Sequence, residues 1–221
     1  MNLPDNLILY PWPFYSHFIL IPIVLWAVWT APWYKIKKTD SQHVFFGAIV
    51  ALIILWSVKA GISPGLNFHL LGAMVFYLLF GWQFALMGLM IALLGVTING
   101  GSGWETYSIN CLFMGVIPVW VCHSIFSLTD KKLPNNYFVY VLVNGFLGAA
   151  LALLSCLVTS ILFLLVTDTY SYQHIAYEYI PFLPLMLFPE ALLSGLMMSI
   201  FVAYCPRWVS TFDDKRYING Q

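Results

Sequence analysis

Apolar runs long enough to matter, separated by short polar or basic connectors, recur from one end of the chain to the other. A helix needs about 20 residues to cross a hydrocarbon core. Runs of that order lie at roughly 14–33, 44–60, 68–81, 83–98, 109–127, 139–167 and 187–205, which predicts about seven transmembrane helices in an all-α polytopic membrane protein. The third run is the shortest, about 14 residues or about 21 Å at the helical rise, and only Gly81-Trp82 joins it to the fourth. It is therefore expected to be short or to begin below the membrane surface. The segment before it, Gly61 to Asn67, holds too much glycine and proline to be helical. His69 is thus expected at a recessed helix start, and an ionisable group at membrane depth is a functional candidate by default.

Composition agrees with a bilayer as solvent: 61% of residues are hydrophobic and 8% charged, and the mean hydropathy is +0.85. No nucleic-acid partner is expected of such a chain. Charge placement sets the expected orientation. In the seven-span arrangement Lys35, Lys37, Lys38, Lys131, Lys132, Arg207, Lys215 and Arg216 fall on one side. Lys59, Asp5, Glu105, Asp168 and Glu178 fall on the other. Positive residues stay cytoplasmic in short loops, so the N-terminus is expected outside and the C-terminus in the cytoplasm.

The first residues have no basic n-region and no small-residue cleavage site, so a retained N-terminus is expected. Asn2 is bulky enough to protect the initiator methionine, leaving Met1 with a free α-amine that can lose its proton and act as a metal ligand. The four cysteines do not form a disulfide framework. Cys111 and Cys122 would sit about 16 Å apart along one helix, far beyond the roughly 7 Å limit for a bridge.

Several residues are candidates for chemistry, and each also has a structural reading. His17 lies on the outer side of the first span, near enough to approach His69. Glu190 follows Pro189, which suits a first helical position and would place the carboxylate at the positive end of a helix dipole inside the membrane. Cys111 and Met114, at i and i+3, form a soft pair suited to Cu(I), although such pairs usually serve packing. Gly148, Ala152, Cys156 and Ser160 recur every four residues as a helix-packing stripe. The run Asn99 to Gly103 allows a backbone to come close to something, or is a connector. No Walker lysine follows it, so no nucleotide is expected on this chain. No outward Ser/His arrangement and no HExxH motif points to an enzyme.

The Met1 terminus of Met-x-x-Pro-acidic type, Phe68-His69-Leu70-Leu71-Gly72, Gly100-Gly101 followed by Asn110 and Met114-Gly115, and Pro189-Glu190-Ala191-Leu192-Leu193-Ser194-Gly195 occur in one order. Together they resemble the CbiM-type permeases, the substrate-binding membrane components of energy-coupling-factor transporters for cobalt and nickel. The resemblance covers residues 1 to about 205. It implies a single transmembrane domain over 1–205 with an N-terminal plug, residues 1–13, that folds back into the bundle, and a short cytoplasmic tail over 206–221. It implies a divalent metal held by the Met1 amine, the second residue and His69. Where the family has histidine at the second position, this chain has Asn2. Where the family has a further asparagine near Met114, this chain has Phe113, with Asn110 kept. An amide oxygen is a poor ligand for Ni²⁺ or Co²⁺, so His17 is a candidate replacement imidazole, and Cys111 with Met114 a candidate shift toward copper.

The resemblance further implies a bacterial cytoplasmic membrane, a transmembrane coupling subunit and separate ATPase subunits. The first span carries Trp26, Trp29 and Trp33 where such components usually present small residues for docking. Two other classes stand beside this one. One is an accessory or assembly subunit of a larger membrane complex. The other is a haem-bearing subunit using His17, His69 or His123.

Overall fold

The structure, a computed structural model, describes residues 1–217. Five of its helices are long and apolar enough to cross a membrane: α1 (Trp12–Thr30), α2 (Thr39–Ser57), α5 (Tyr107–Lys132), α6 (Tyr137–Val166) and α7 (Tyr172–Tyr204). Two shorter ones, α3 (Ala73–Phe80) and α4 (Trp82–Ile98), bring the bundle to seven. This is the expected all-α polytopic membrane fold.

The boundaries follow local chemistry. α1 ends at Thr30 rather than near residue 33, because Ala31 precedes Pro32 and is pushed to an extended conformation. α2 begins at Thr39, earlier than the hydropathy suggests, with Asp40 in its first turn, where the helix dipole favours a negative charge. α7 also begins earlier. One irregular turn at Ile180–Phe182 interrupts it, and it then runs unbroken through Pro189. Pro189 does not start a helix, so Glu190 lies well inside α7 rather than at its positive end.

The third span is the main correction. Residues 60–68 form an antiparallel hairpin, β1 (Ala60–Ser63) and β2 (Leu66–Phe68), with Ala60 opposite Phe68 and Gly61 opposite Asn67. Pro64-Gly65 makes the turn, with Gly65 at φ +78°, the left-handed conformation a type II turn needs at its third position. His69 to Leu71 are not helical, and Gly72 at φ +70° precedes Ala73. Only eight residues are helical, about 12 Å, too short to cross. All eight are buried, so α3 is a half-helix inside the bundle.

A half-helix leaves carbonyls without partners at its end. The chain after α7 supplies them: Ser210 N–H donates to Leu79 O at 3.0 Å, and Thr211 donates to Leu78 O through N–H at 3.3 Å and Oγ1 at 2.8 Å. Phe212 and Tyr217 pack on Tyr140. The described part of the tail is thus packed on the bundle; residues 218–221 of it lie outside the described residues.

The small-residue stripe on α6 faces this centre. A Cβ at Gly148 would sit 2.9 Å from Met74 of α3, and Cys156 Sγ lies 3.5 Å from Met1 Sδ. All four cysteines are free.

Candidate metal site

The first residues enter the bundle from the hairpin end and are gripped by amides. The Leu3 peptide meets the Asn110 side chain at two points: Leu3 N–H donates to Oδ1 at 2.9 Å, and Nδ2 donates to Leu3 O at 3.0 Å. Thr106 Oγ1 (2.6 Å) and Gly103 N–H (3.1 Å) donate to the same carbonyl. The glycine-rich turn is therefore a close-approach surface for the N-terminal segment. A Cβ on Gly103 would stand 2.5 Å from Asp5 N. Asp5 Oδ1 in turn accepts from Glu105 N–H at 2.8 Å.

This path ends in a buried cluster. Met1, Asn2 and His69 are each no more than 2% exposed. The Met1 amine faces three oxygens: Gly65 O at 2.9 Å, Asn67 O at 2.7 Å and Asn67 Oδ1 at 2.9 Å. Asn67 also accepts from Asn2 N–H at 3.2 Å and donates to Asn2 O at 3.2 Å. The Asn2 side chain lies 2.7 Å from His69 Nε2, and the other ring nitrogen, Nδ1, lies 3.1 Å from Leu70 O. Trp56 flanks the imidazole at 5.4 Å between ring centroids and donates Nε1–H to Leu71 O at 3.2 Å. Tyr179 stacks on Phe68 at 4.3 Å and donates to Asn67 O at 3.2 Å.

Burial governs the protonation of both nitrogen bases. It pushes the Met1 amine down to about 5. It pushes His69 down to about 3, with the neighbouring amine adding to the shift. Three oxygens around one nitrogen suit an ammonium, yet among the described residues no carboxylate pairs with it. Unpaired buried charge is the costlier choice, and we take the amine as neutral. It then has two N–H groups for three oxygens, so one oxygen faces its lone pair.

The Asn2 amide carries a second mismatch. With the oxygen toward His69, its Nδ2 is buried without a partner. A neutral ring donates from one nitrogen only, so satisfying both ring contacts needs the amide turned over, its Nδ2 donating to Nε2. Its oxygen is then the unpaired atom. A cation bound by the amine and the imidazole would relieve both mismatches, and the nitrogen donors fit a divalent transition ion.

Glu190 stands beside this cluster and not in it. Its carboxylate accepts from Leu71 N–H at 2.7 Å and Gly72 N–H at 2.8 Å, which fixes the connector carrying His69 at the positive end of α3. His17 is exposed on α1 and bonded to Pro13 O at 2.7 Å, so it does not enter the cluster. Asn110 holds the plug through Leu3. Cys111 and Met114 are buried on α5, Met114 within the π-wound Leu112–Val116. Among the described residues no three His, Cys, Asp or Glu side chains gather into a metal cluster. His123 is bonded to Tyr77 Oη at 2.9 Å.

Sequence reasoning passed over Asn67, Thr106, Trp56 and Tyr179. His174, which the sequence suggests is an undistinguished loop residue, lies on α7, joins it to the hairpin through Ser63 Oγ at 3.0 Å, and stands 3.3 Å from Glu178 of the same helix. Both contacts use Nε2, so no Ser-His-acid relay exists there.

Comparison with known proteins agrees with this fold. Two solved structures share the fold, described as a truncated transition metal transporter and a transition metal transporter. Both are 16% identical over 92% of this chain, with TM-scores of 0.77 and 0.76, covering 99% and 93% of those chains. No curated protein matches. A family model, described as the cobalt uptake substrate-specific transmembrane region, matches residues 2–208. By that match the chain belongs to the CbiM family, and it is a multi-pass metal-transporter permease rather than an enzyme.

Proposed function

We propose that the chain is the substrate-binding component of an energy-coupling-factor transporter in a bacterial cytoplasmic membrane, carrying a divalent ion of the cobalt and nickel class. The carrying observation is the buried, carboxylate-free meeting of the Met1 amine with His69 through Asn2. In this reading the amine, the peptide nitrogen of Asn2 and Nε2 of His69 hold the ion. Asn67 and Asn110 seat the dipeptide, and Glu190 positions the connector. Nitrogen donors favour Ni²⁺ and Co²⁺ over the hard ions. Coupling and ATPase subunits supply the energy, since the chain has no nucleotide motif of its own.

Metal analysis of purified protein after loading with Ni²⁺ or Co²⁺ tests this. The intact chain is expected to hold one ion per chain. His69→Ala, and a variant with one residue added before Met1, are expected to hold about a tenth or less, the scale on which even outer-shell losses act. Equal metal content in all three samples sinks the assignment.

A further inference from the structure

Two cavities share walls alongside α3, and the first reaches up to Leu70, Gly72 and Glu190 beside the connector that carries His69. The first, about 640 Å³, is a trough between α2 and α7 alongside α3, walled by Gly47, Ala51, Leu55, Phe76, Met197 and Phe201 among others. It exists because α3 is a half-helix and leaves α2 and α7 apart. From His43 to Leu55 it extends about 18 Å at the helical rise. That is close to the depth of one leaflet, half of a hydrocarbon core of about 30 Å.

The second cavity, also about 640 Å³, carries Lys35, Lys38 and Arg207 with one carboxylate, Asp40. Among the described residues none of these three cations is in an ion pair. Val44, Leu79 and Trp208 line both cavities. The two therefore adjoin, an apolar trough beside a cationic cup.

We propose that this feature binds an anionic glycerophospholipid, its phosphate in the cup of Lys35, Lys38 and Arg207 and one acyl chain along the trough. Charge complementarity selects the ligand. Juxtamembrane Lys and Arg attract anionic headgroups, and basic pockets between transmembrane helices are where such headgroups lodge. A zwitterionic lipid brings its own ammonium against the same cations and gains less. Trp208 lines both cavities and Tyr34 lines the cup, where amphipathic rings settle at a membrane interface. The inference goes beyond metal carriage, and its readout does not depend on it.

The test is native mass spectrometry of the full chain extracted from nanodiscs of equal phosphatidylglycerol and phosphatidylcholine. Retained phosphatidylglycerol is expected. In Lys35→Gln/Lys38→Gln/Arg207→Gln its retention is expected to fall on the order of a hundredfold, about fivefold per cation. Gly47→Leu puts a side chain into the trough at a position where a Cβ meets nothing within 4 Å. It is expected to weaken retention while the protein stays folded. Lys131→Gln/Lys132→Gln, which removes cations outside the cup, is expected to retain the lipid as the unaltered chain does, and millimolar inorganic phosphate is expected not to displace it. Equal retention of both lipids overturns the proposal. So do displacement by phosphate alone, loss in the Lys131/Lys132 pair matching that in the triple variant, and a second polypeptide in place of lipid.

Discussion

The Asn2 side chain lies 2.7 Å from Nε2 of His69, with both residues buried. The contact joins the second residue of the chain to the connector before a half-helix, and it occupies the lone pair a metal would need. Binding an ion there exchanges one amide contact for a coordination bond. In the proposed site, the identity of residue 2 therefore sets how strongly an ion is held.

Asn2→His is expected to raise affinity for Ni²⁺ by on the order of tenfold or more, since it adds an imidazole to the proposed nitrogen donors. Competition titration against a chelator of known affinity reads this directly. Unchanged or weaker binding would mean that residue 2 does not face the ion.

Asn110→Ala should release the plug. It leaves the buried Leu3 N–H without its acceptor, a cost of about 1–3 kcal/mol. Faster hydrogen exchange over residues 1–8 is the expected signature, with weaker metal binding alongside. Exchange equal to that of the unaltered chain would show that Thr106 and Gly103 suffice to hold Leu3.

Much of this was legible in the residues, and what was missed has physical causes. Hydropathy finds apolar length but not whether a run is helical throughout, so residues 68–72 were absorbed into a span that begins only at Ala73. Pro64-Gly65 is a turn dipeptide and carried the hairpin signal. Strands of three and four residues offer too little alternation to place Asn67 opposite Gly61. Asn67 then escaped notice because its role depends on that register. In the sequence, Glu190 relates only to its own helix. The dipole it serves belongs to α3, and that relationship exists only after folding.

Metal affinity should rise about tenfold per pH unit between about pH 6 and 8. Both nitrogen bases have lowered pKa values, near 5 for the amine and 3 for His69. Each is already deprotonated across that window and releases no proton on binding. The single proton lost comes from the peptide N–H of Asn2. Affinity then falls more steeply as pH drops through about 5, where protons begin to compete for the amine. An amine at the ordinary value of about 7.7–8.0 would add a second decade per unit below pH 8. Titrations at pH 6, 7 and 8 separate one decade from two.

Glu190→Gln should cost stability without removing the ion. The carboxylate accepts from Leu71 and Gly72 N–H; an amide can accept at one and must turn its own N–H toward the other, a loss of about 1–3 kcal/mol. Thermal unfolding in detergent should drop by several degrees while saturating metal still binds at one ion per chain. Loss of all metal from a folded variant would make Glu190 a ligand instead of a positioning residue.

Three glycines should respond to alanine in three ways, and the contrast tests the packing of the plug. At Gly47, within α2, a Cβ meets nothing within 4 Å, so Gly47→Ala should stabilise by about 1 kcal/mol through helix propensity. Gly100 also has open space but sits at φ +73°, so alanine there should cost about 1–2 kcal/mol of left-handed strain. Gly103 has no such φ, yet a Cβ would stand 2.5 Å from Asp5 N and 2.6 Å from Thr106 Oγ1. Backbone cannot yield as a side-chain tip can, so Gly103→Ala should push the N-terminal segment off Thr106 and lower metal affinity. The other two substitutions should leave affinity unchanged. Unfolding temperatures alone would not separate Gly100 from Gly103. Metal affinity measured beside them does, and an unaltered affinity in Gly103→Ala would mean that the plug does not seat against this turn.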